Sequence, residues 1–171
     1  FWYEPFRERT IREVFGAEPE KFWPVMNSYD TPESRTRVAS PYDDSGFFTE
    51  LKAAGYMTGI VTGARVNIML YEVEMLGNDN FDIVIRAQKS SGVEPKPAPD
   101  GILKCLREMD VRAEDAMYVG NGSEDIDAAK AAGVLDVHID RKEHIVNGVK
   151  PSVSISSLYE LRPRLPPRNI P

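Results

Sequence analysis

At three places in this chain, polar residues stand where an apolar run meets a glycine or proline turn. Thr62 closes YMTGIVTGA, Lys96 lies between two prolines in EPKPAPDG, and Asn121 and Asp125 are four apart in YVGNGSEDIDAAKAAG. The Thr62 hydroxyl, with the backbone N–H groups of Gly63 and Ala64, can hold an anionic oxygen. Taken alone, capping the next helix is the simpler use of that hydroxyl. Pro95 and Pro97 restrict the backbone around Lys96, so its ammonium can neutralise a phosphate or the charge growing in a transition state. Taken alone, a solvated loop lysine is the simpler reading. Asn121 and Asp125 offer hard oxygens of the kind Mg²⁺ prefers. Asn121 and Ser123 also suit a helix cap, with Glu124, Asp125 and Asp127 complementing its dipole, and both uses are compatible. Asp127 projects to another side of the helix and is set aside as a ligand.

Other chemistries lack their residues. Cys105 sits in ILKCLREM with Ile102, Leu106 and Met109 at helical spacing, which reads as a small buried apolar residue rather than a nucleophile. His138 in an apolar strand and His144 in a polar loop are too few and too badly spaced for zinc. No G-x-S-x-G elbow occurs, so a Ser/His/Asp hydrolase is not indicated.

The elements that must position these residues alternate from residue 41 onward. DDSGFFTELKAAG reads as a helix with an Asp/Ser start, and YMTGIVTGA as a strand. RVNIMLYEVEMLG is a helix, FDIVIRA a strand, and KPAPDGILKCLREMD a loop and helix. AMYVG is a strand, SEDIDAAKAAG a helix, VLDVHID an outer strand and SISSLYELRPRL a final short helix. Alternating strands and helices imply βα units and a parallel sheet, and ligands bind beyond the carboxyl ends of such strands. That places Thr62, Lys96 and Gly120-Asn121-Gly122 together. Before residue 30 the pattern is helical: FRERTIREVFG stops at Gly16, and EPEKFWPVMNSY is a second piece interrupted by Pro24. SYDTPESRTRVASPYDD reads as a linker, and PRLPPRNIP as a Pro-rich end to the domain.

The bulk composition bounds the function. The 171 residues fit one domain with a small appendage, and the net charge of −6 argues against a nucleic-acid or anionic-membrane binder. One cysteine gives no disulfide framework. No apolar run approaches the ~20 residues of a membrane span, and no signal peptide is visible, so the cytoplasm is the default compartment. The oligomeric state is not legible. The chain begins Phe-Trp-Tyr without Met, which fits a processed product or a piece of a longer protein.

In order and spacing, these segments resemble the haloacid dehalogenase superfamily, in particular its phosphoglycolate-phosphatase-like branch. GIVTGA resembles the motif whose Ser/Thr binds the phosphoryl group, KPAPDGI the motif of the charge-stabilising Lys, and VGNGSEDIDAAKAAGV the motif whose acidic residues hold Mg²⁺. PYDDSGFFTELKAAGY and NGVKPSVSISSLYEL resemble the flanking segments. The resemblance implies an α/β fold: a Rossmann-like three-layer core with a parallel sheet over residues 41–163, a small helical cap over 1–40, and a Pro-rich tail over 164–171. It implies a Mg²⁺-dependent phosphatase of a small phosphorylated metabolite. An Asp attacks phosphorus, a phospho-aspartate forms, and water hydrolyses it. Thr62 and Lys96 would be the catalytic pair, Thr62, Gly63, Ala64 and Lys96 the phosphate site, and Asn121 and Asp125 the metal ligands.

Two departures stand against that pattern. The family's hhhDxDG[TV] nucleophile motif is absent, since the only Asp-x-Asp is Asp125-Ile126-Asp127 inside a helix. Neither Asp43-Asp44 nor Asp140 can replace it. About 15–20 upstream residues, one strand and its loop, would supply it. Asn121 also stands where the family has Asp, offering an oxygen without charge. A catalytically inactive binding protein and a metal-independent 2-haloacid dehalogenase are therefore the alternative readings.

Overall fold

The computed structural model describes residues 6–143 and 148–165. His144 and the Pro-rich end from residue 166 lie outside the described residues. The chain divides into two compact units, Phe1–Ser40 and Pro41–Pro171.

The first unit holds α1 (Phe6–Phe15), α2 (Pro19–Tyr29) and α3 (Pro32–Thr36). Gly16 ends α1 at φ +60°, a left-handed stop open to glycine. α2 continues through Pro24 instead of breaking there; the ring removes one i→i−4 bond without ending the helix. The Phe15 and Phe22 rings, 5.2 Å apart, join α1 to α2. α3 falls inside the stretch read as a linker. Thr31 and Ser34 exchange side-chain and backbone bonds in a capping box, with Ser in the place usually taken by Glu or Gln.

The second unit runs α4 (Phe47–Ala53), β1 (Gly59–Thr62), α5 (Val66–Leu76), β2 (Ile83–Arg86), α6 (Asp100–Met109), β3 (Met117–Gly120), α7 (Ser123–Ala132), β4 (Leu135–Ile139) and β5 (Val153–Ile155). Every strand pair is parallel, which confirms the α/β class. Alternation along the strands separates two buried clusters. Val61, Ile85 and Ala87 pack with Ile102, Cys105 and Leu106 of α6 and Ala128, Ala129 and Ala132 of α7. On the other side, Val137 and Ile155 pack with Phe47 of α4 and with Leu158 and Leu161. β3 serves both: Tyr118 lies against the first cluster, Met117 and Val119 against the second. Cys105 is a buried core residue whose thiol is pushed up to about 11 by burial and by Glu108, so it is inert.

Three further expectations change in the second unit. β4 is not an outer strand, because β3 and β5 flank it. SISSLYELRPRL is not an α-helix: β5 takes its start, and Leu158–Arg164 is 3₁₀, capped by Ser157 and Glu160, with Pro163 unable to donate. The Asp/Ser start of α4 is not a cap either. Gly46 is the cap residue, with no side-chain bond. Asp44 instead accepts both Arg141 Nη2 contacts (2.7 and 2.8 Å), Ser157 Oγ (3.0 Å) and the Leu158 N–H (2.7 Å). This buried carboxylate staples the start of the unit to its end.

The strands form two sheets, β1-β2 and β3-β4-β5. Thr58 and Thr62 direct their carbonyls toward β2, accepting from Asp82 and Ala87, so the Val61 carbonyl points to the opposite edge. Among the described residues no strand pairs with that edge or with the free edge of β3. Tyr118 crosses between them, its hydroxyl 3.2 Å from the Val61 carbonyl. No described helix is long and apolar enough to cross a membrane.

Candidate active site

Thr62 is the last residue of β1, Asn121 joins β3 to α7, and Lys96 lies in the loop before α6. The Lys96–Pro97 peptide is cis. Lys96 Nζ lies 2.6 Å from Asp125 Oδ1 and 3.2 Å from the Tyr118 hydroxyl. Asp125 Oδ2 accepts the backbone N–H groups of Asn121 (3.1 Å) and Gly122 (3.0 Å). The carboxylate thus folds back from N3 over its own turn, the one half of a capping box that is open here, since the N-cap Gly122 has no side chain to return the bond. Gly120 makes room for it: a Cβ there would lie 2.6 Å from Asp125 Oδ2 and overlap its Cβ and Cγ.

The Tyr118 hydroxyl has one proton, which it can give to the Val61 carbonyl or to Asp125 Oδ1, 3.4 Å away. Burial first, and then Asp125, push it up to about 12 against the pull of Lys96, so it stays a donor at neutral pH. Burial works against the Lys96 charge, but the Tyr118 oxygen and the Asp125 carboxylate outweigh it and hold the ammonium above its usual range. An ammonium carries three donors; two are committed here, and one is left.

Thr62 Oγ1 accepts the Ala64 N–H at 3.1 Å, so the hydroxyl orders its own turn. It is not the cap of α5, whose cap residue is Arg65. Gln88 Nε2 donates to the Gly63 carbonyl, and Arg86 Nη1 donates to Gln88 Oε1 at 2.6 Å, which fixes the turn from the β2 side. Of the expected site residues, Lys96 and Asp125 meet directly. Thr62 sits one residue from the Val61 carbonyl that Tyr118 reaches. Asn121 contributes its backbone N–H, and its side-chain amide has no hydrogen-bond partner among the described residues.

These residues do not by themselves fit a Mg²⁺ centre. Of the two expected ligands only Asp125 is a carboxylate, its two oxygens accept from Lys96 and two backbone N–H groups, and Asn121 adds an oxygen without charge. Among the described residues no three acidic, histidine or cysteine side chains cluster as a metal site.

Residues 3–139 match the family described as haloacid dehalogenase-like hydrolase. The chain belongs to that family. It is 28% identical over 120 residues to a pyrophosphatase PpaX of Bacillus cereus (strain B4264), covering 68% of this chain and 55% of that protein. The chain thus spans about half the length of the curated relatives it matches. A HAD phosphatase from Thermococcus onnurineus superposes with a TM-score of 0.72 at 27% identity, covering 96% of this chain and 81% of that one. A 2-haloacid dehalogenase from Pseudomonas syringae pv. Tomato DC3000 superposes with a TM-score of 0.58 at 25% identity, covering 70% and 50%.

Two residues of this family member escaped the sequence reading. Tyr118 stands in an apolar strand, where a tyrosine reads as core; its one signal is its place two residues before the Gly-Asn-Gly turn. Arg86 ends β2, and its signal was a charge directly after the apolar run Ile83-Val84-Ile85.

Proposed function

We propose that this chain carries the core of a phosphatase-type hydrolase acting on a small phosphorylated substrate. The carrying observation is the Lys96–Asp125–Tyr118 cluster beside the Thr62 turn, at the carboxyl ends of parallel strands. The uncommitted Lys96 donor faces charge that grows on a phosphoryl oxygen, and the Thr62-Gly63-Ala64 turn receives the phosphoryl group. The nucleophilic Asp comes from an upstream strand seated between β1 and β3, where both edges lack a strand partner among the described residues. Its carboxylate oxygen bonds to phosphorus as the ester P–O bond breaks. The leaving oxygen takes a proton from a second carboxyl group two residues on, and water then releases inorganic phosphate from the phospho-aspartate. Residues 1–40 belong to the cap that selects the substrate. Asn121 and Asp125 would hold Mg²⁺ only together with further carboxylates, and the ion would then neutralise charge on the phosphoryl oxygens.

The test uses the protein as its source makes it. Intact mass and N-terminal sequence establish whether an Asp-x-Asp segment is present. Phosphate release from p-nitrophenyl phosphate and inorganic pyrophosphate is then compared between wild type and Lys96→Met. Loss of about 10²–10³-fold in kcat supports the reading. A protein without Asp-x-Asp and without phosphate release overturns it in favour of an inactive binding protein.

A second reading rests on the charge-poor donor set. A neutral Asn121 beside an Asp125 held by Lys96 suits hydrolytic dehalogenation, which needs no metal. Halide release from 2-haloacids that persists in EDTA would favour it over phosphatase action.

A further inference from the structure

We infer that Arg86 is a second anion anchor beside the phosphoryl position, selecting substrates that carry another oxyanion close to the transferred group. This rests on the phosphatase reading and deepens it. Arg86 is the register partner of Thr62 across the β1-β2 pair. Val61 and Ile85 face the core cluster, so Thr62 and Arg86 share the opposite face, on adjacent strands. The arginine turns toward the carboxyl edge, where Nη1 donates to Gln88 Oε1 (2.6 Å) and Ser90 Oγ (3.1 Å). Both acceptors are neutral. Among the described residues no carboxylate pairs with this guanidinium, whereas Arg35, Arg112, Arg141 and Arg162 each have one. Its Nη1 hydrogens are committed; Nε and Nη2, the edge that grips an oxyanion with two parallel bonds, have no protein partner there.

The bonds to Gln88 and Ser90 fix the fork at one place. Gln88 in turn holds the Gly63 carbonyl, so the arginine and the Thr62 turn form one hydrogen-bonded unit. An oxyanion on Nε and Nη2 therefore lies at a set offset from an oxygen on that turn. A diphosphate and a carboxylate-bearing phosphate ester share this chemistry.

Binding tests the inference without turnover. Methylphosphonate, methylenediphosphonate and phosphonoacetate are titrated calorimetrically into wild type, Arg86→Gln and Arg86→Lys. Wild type is expected to bind one or both of the two doubly anionic probes about 10–100-fold more tightly than methylphosphonate, as a charge-assisted bidentate contact gives. The better of the two identifies the second group as phosphonate or carboxylate. Arg86→Gln, which also loosens the turn through Gln88, is expected to weaken the doubly anionic probes about 10–100-fold more than methylphosphonate, so that the preference disappears, while Arg86→Lys restores part of it. Equal loss for all probes would mean that Arg86 only holds the turn. An unchanged preference in Arg86→Gln, or no preference in wild type, also overturns the inference. Hydrolysis assays read separately whether the phosphatase reading stands.

Discussion

Lys96 Nζ and Asp125 Oδ1 lie 2.6 Å apart, joining the loop before α6 to the first turn of α7. Their side chains are 19% and 6% exposed, so the pair is shielded from solvent screening. Removing one partner leaves the other charge buried. Asp125→Asn is expected to destabilise the protein by about 3 kcal/mol in urea unfolding, near the low end for a broken buried pair. The alkaline limb carries the sign. Lys96 holds its proton above its ordinary value, so its contribution is full below about pH 10.4 and falls as pH rises through the higher folded-state value. The urea midpoint of wild type should drop more steeply than that of Lys96→Met above pH 10.4. Parallel curves would show that the pair adds nothing.

The carboxylate needs the glycine beneath it. A methyl at Gly120 would lie 2.6 Å from Asp125 Oδ2, and the neighbouring carbons would overlap more closely still. Gly120→Ala is expected to cost about 1–3 kcal/mol and to pull Asp125 off Lys96, with activity lost beyond the stability cost. Gly46→Ala is the control. Its Cβ would meet only the Tyr159 hydroxyl, at 3.7 Å, and its stability should change by less than about 0.5 kcal/mol. Equal thermal shifts in the two variants would sink the argument.

The placement of Thr62 and Asn121 at strand ends, of Lys96 in the loop before α6 and of Asp125 in the first turn of α7 was legible because Gly and Pro mark those breaks in the sequence. The parallel α/β order was legible from alternating apolar runs for the same reason. What escaped lies in long-range contact. Tyr118 joins Lys96, Asp125 and Val61, which are 22, 7 and 57 residues away, and no local pattern carries that information. β5 has three residues and reads as part of a helix, too short for a period of two to show. Asp44 was read as a helix start, whereas its partners lie 97 to 114 residues away.

That Asp44 staple makes an acid-side prediction. Burial disfavours the carboxylate, but Arg141, the Leu158 N–H and Ser157 together hold it below the usual range. Its contribution is therefore full above about pH 4 and is lost as pH falls through the depressed folded-state value. Asp44→Asn should cost about 3 kcal/mol at pH 7, because the Arg141 guanidinium loses the carboxylate that accepts from its Nη2. The gap between the two urea midpoints should narrow as pH is lowered below about 4. A gap that stays constant would locate the effect in packing rather than charge.

In the proposed phosphatase, Asn121 is the ligand position that lacks charge. Mg²⁺ affinity rises with the number of charged oxygens, and this turn offers an amide beside a carboxylate already committed to Lys96. Asn121→Asp adds one negative charge at the mouth of the turn. At an effective dielectric near 20, a unit charge 4 Å from the divalent ion contributes up to about 8 kcal/mol before desolvation, so a gain of tenfold or more in affinity is expected. Calorimetric titration of Mg²⁺ into wild type and variant reads it directly. Asp127→Asn is the control, since Asp127 projects from another side of α7 and its loss should leave the titration unchanged. If Asn121→Asp binds Mg²⁺ no more tightly than wild type, position 121 does not face the ion. The metal would then have to be held without this turn, and the metal-free hydrolase reading would gain ground.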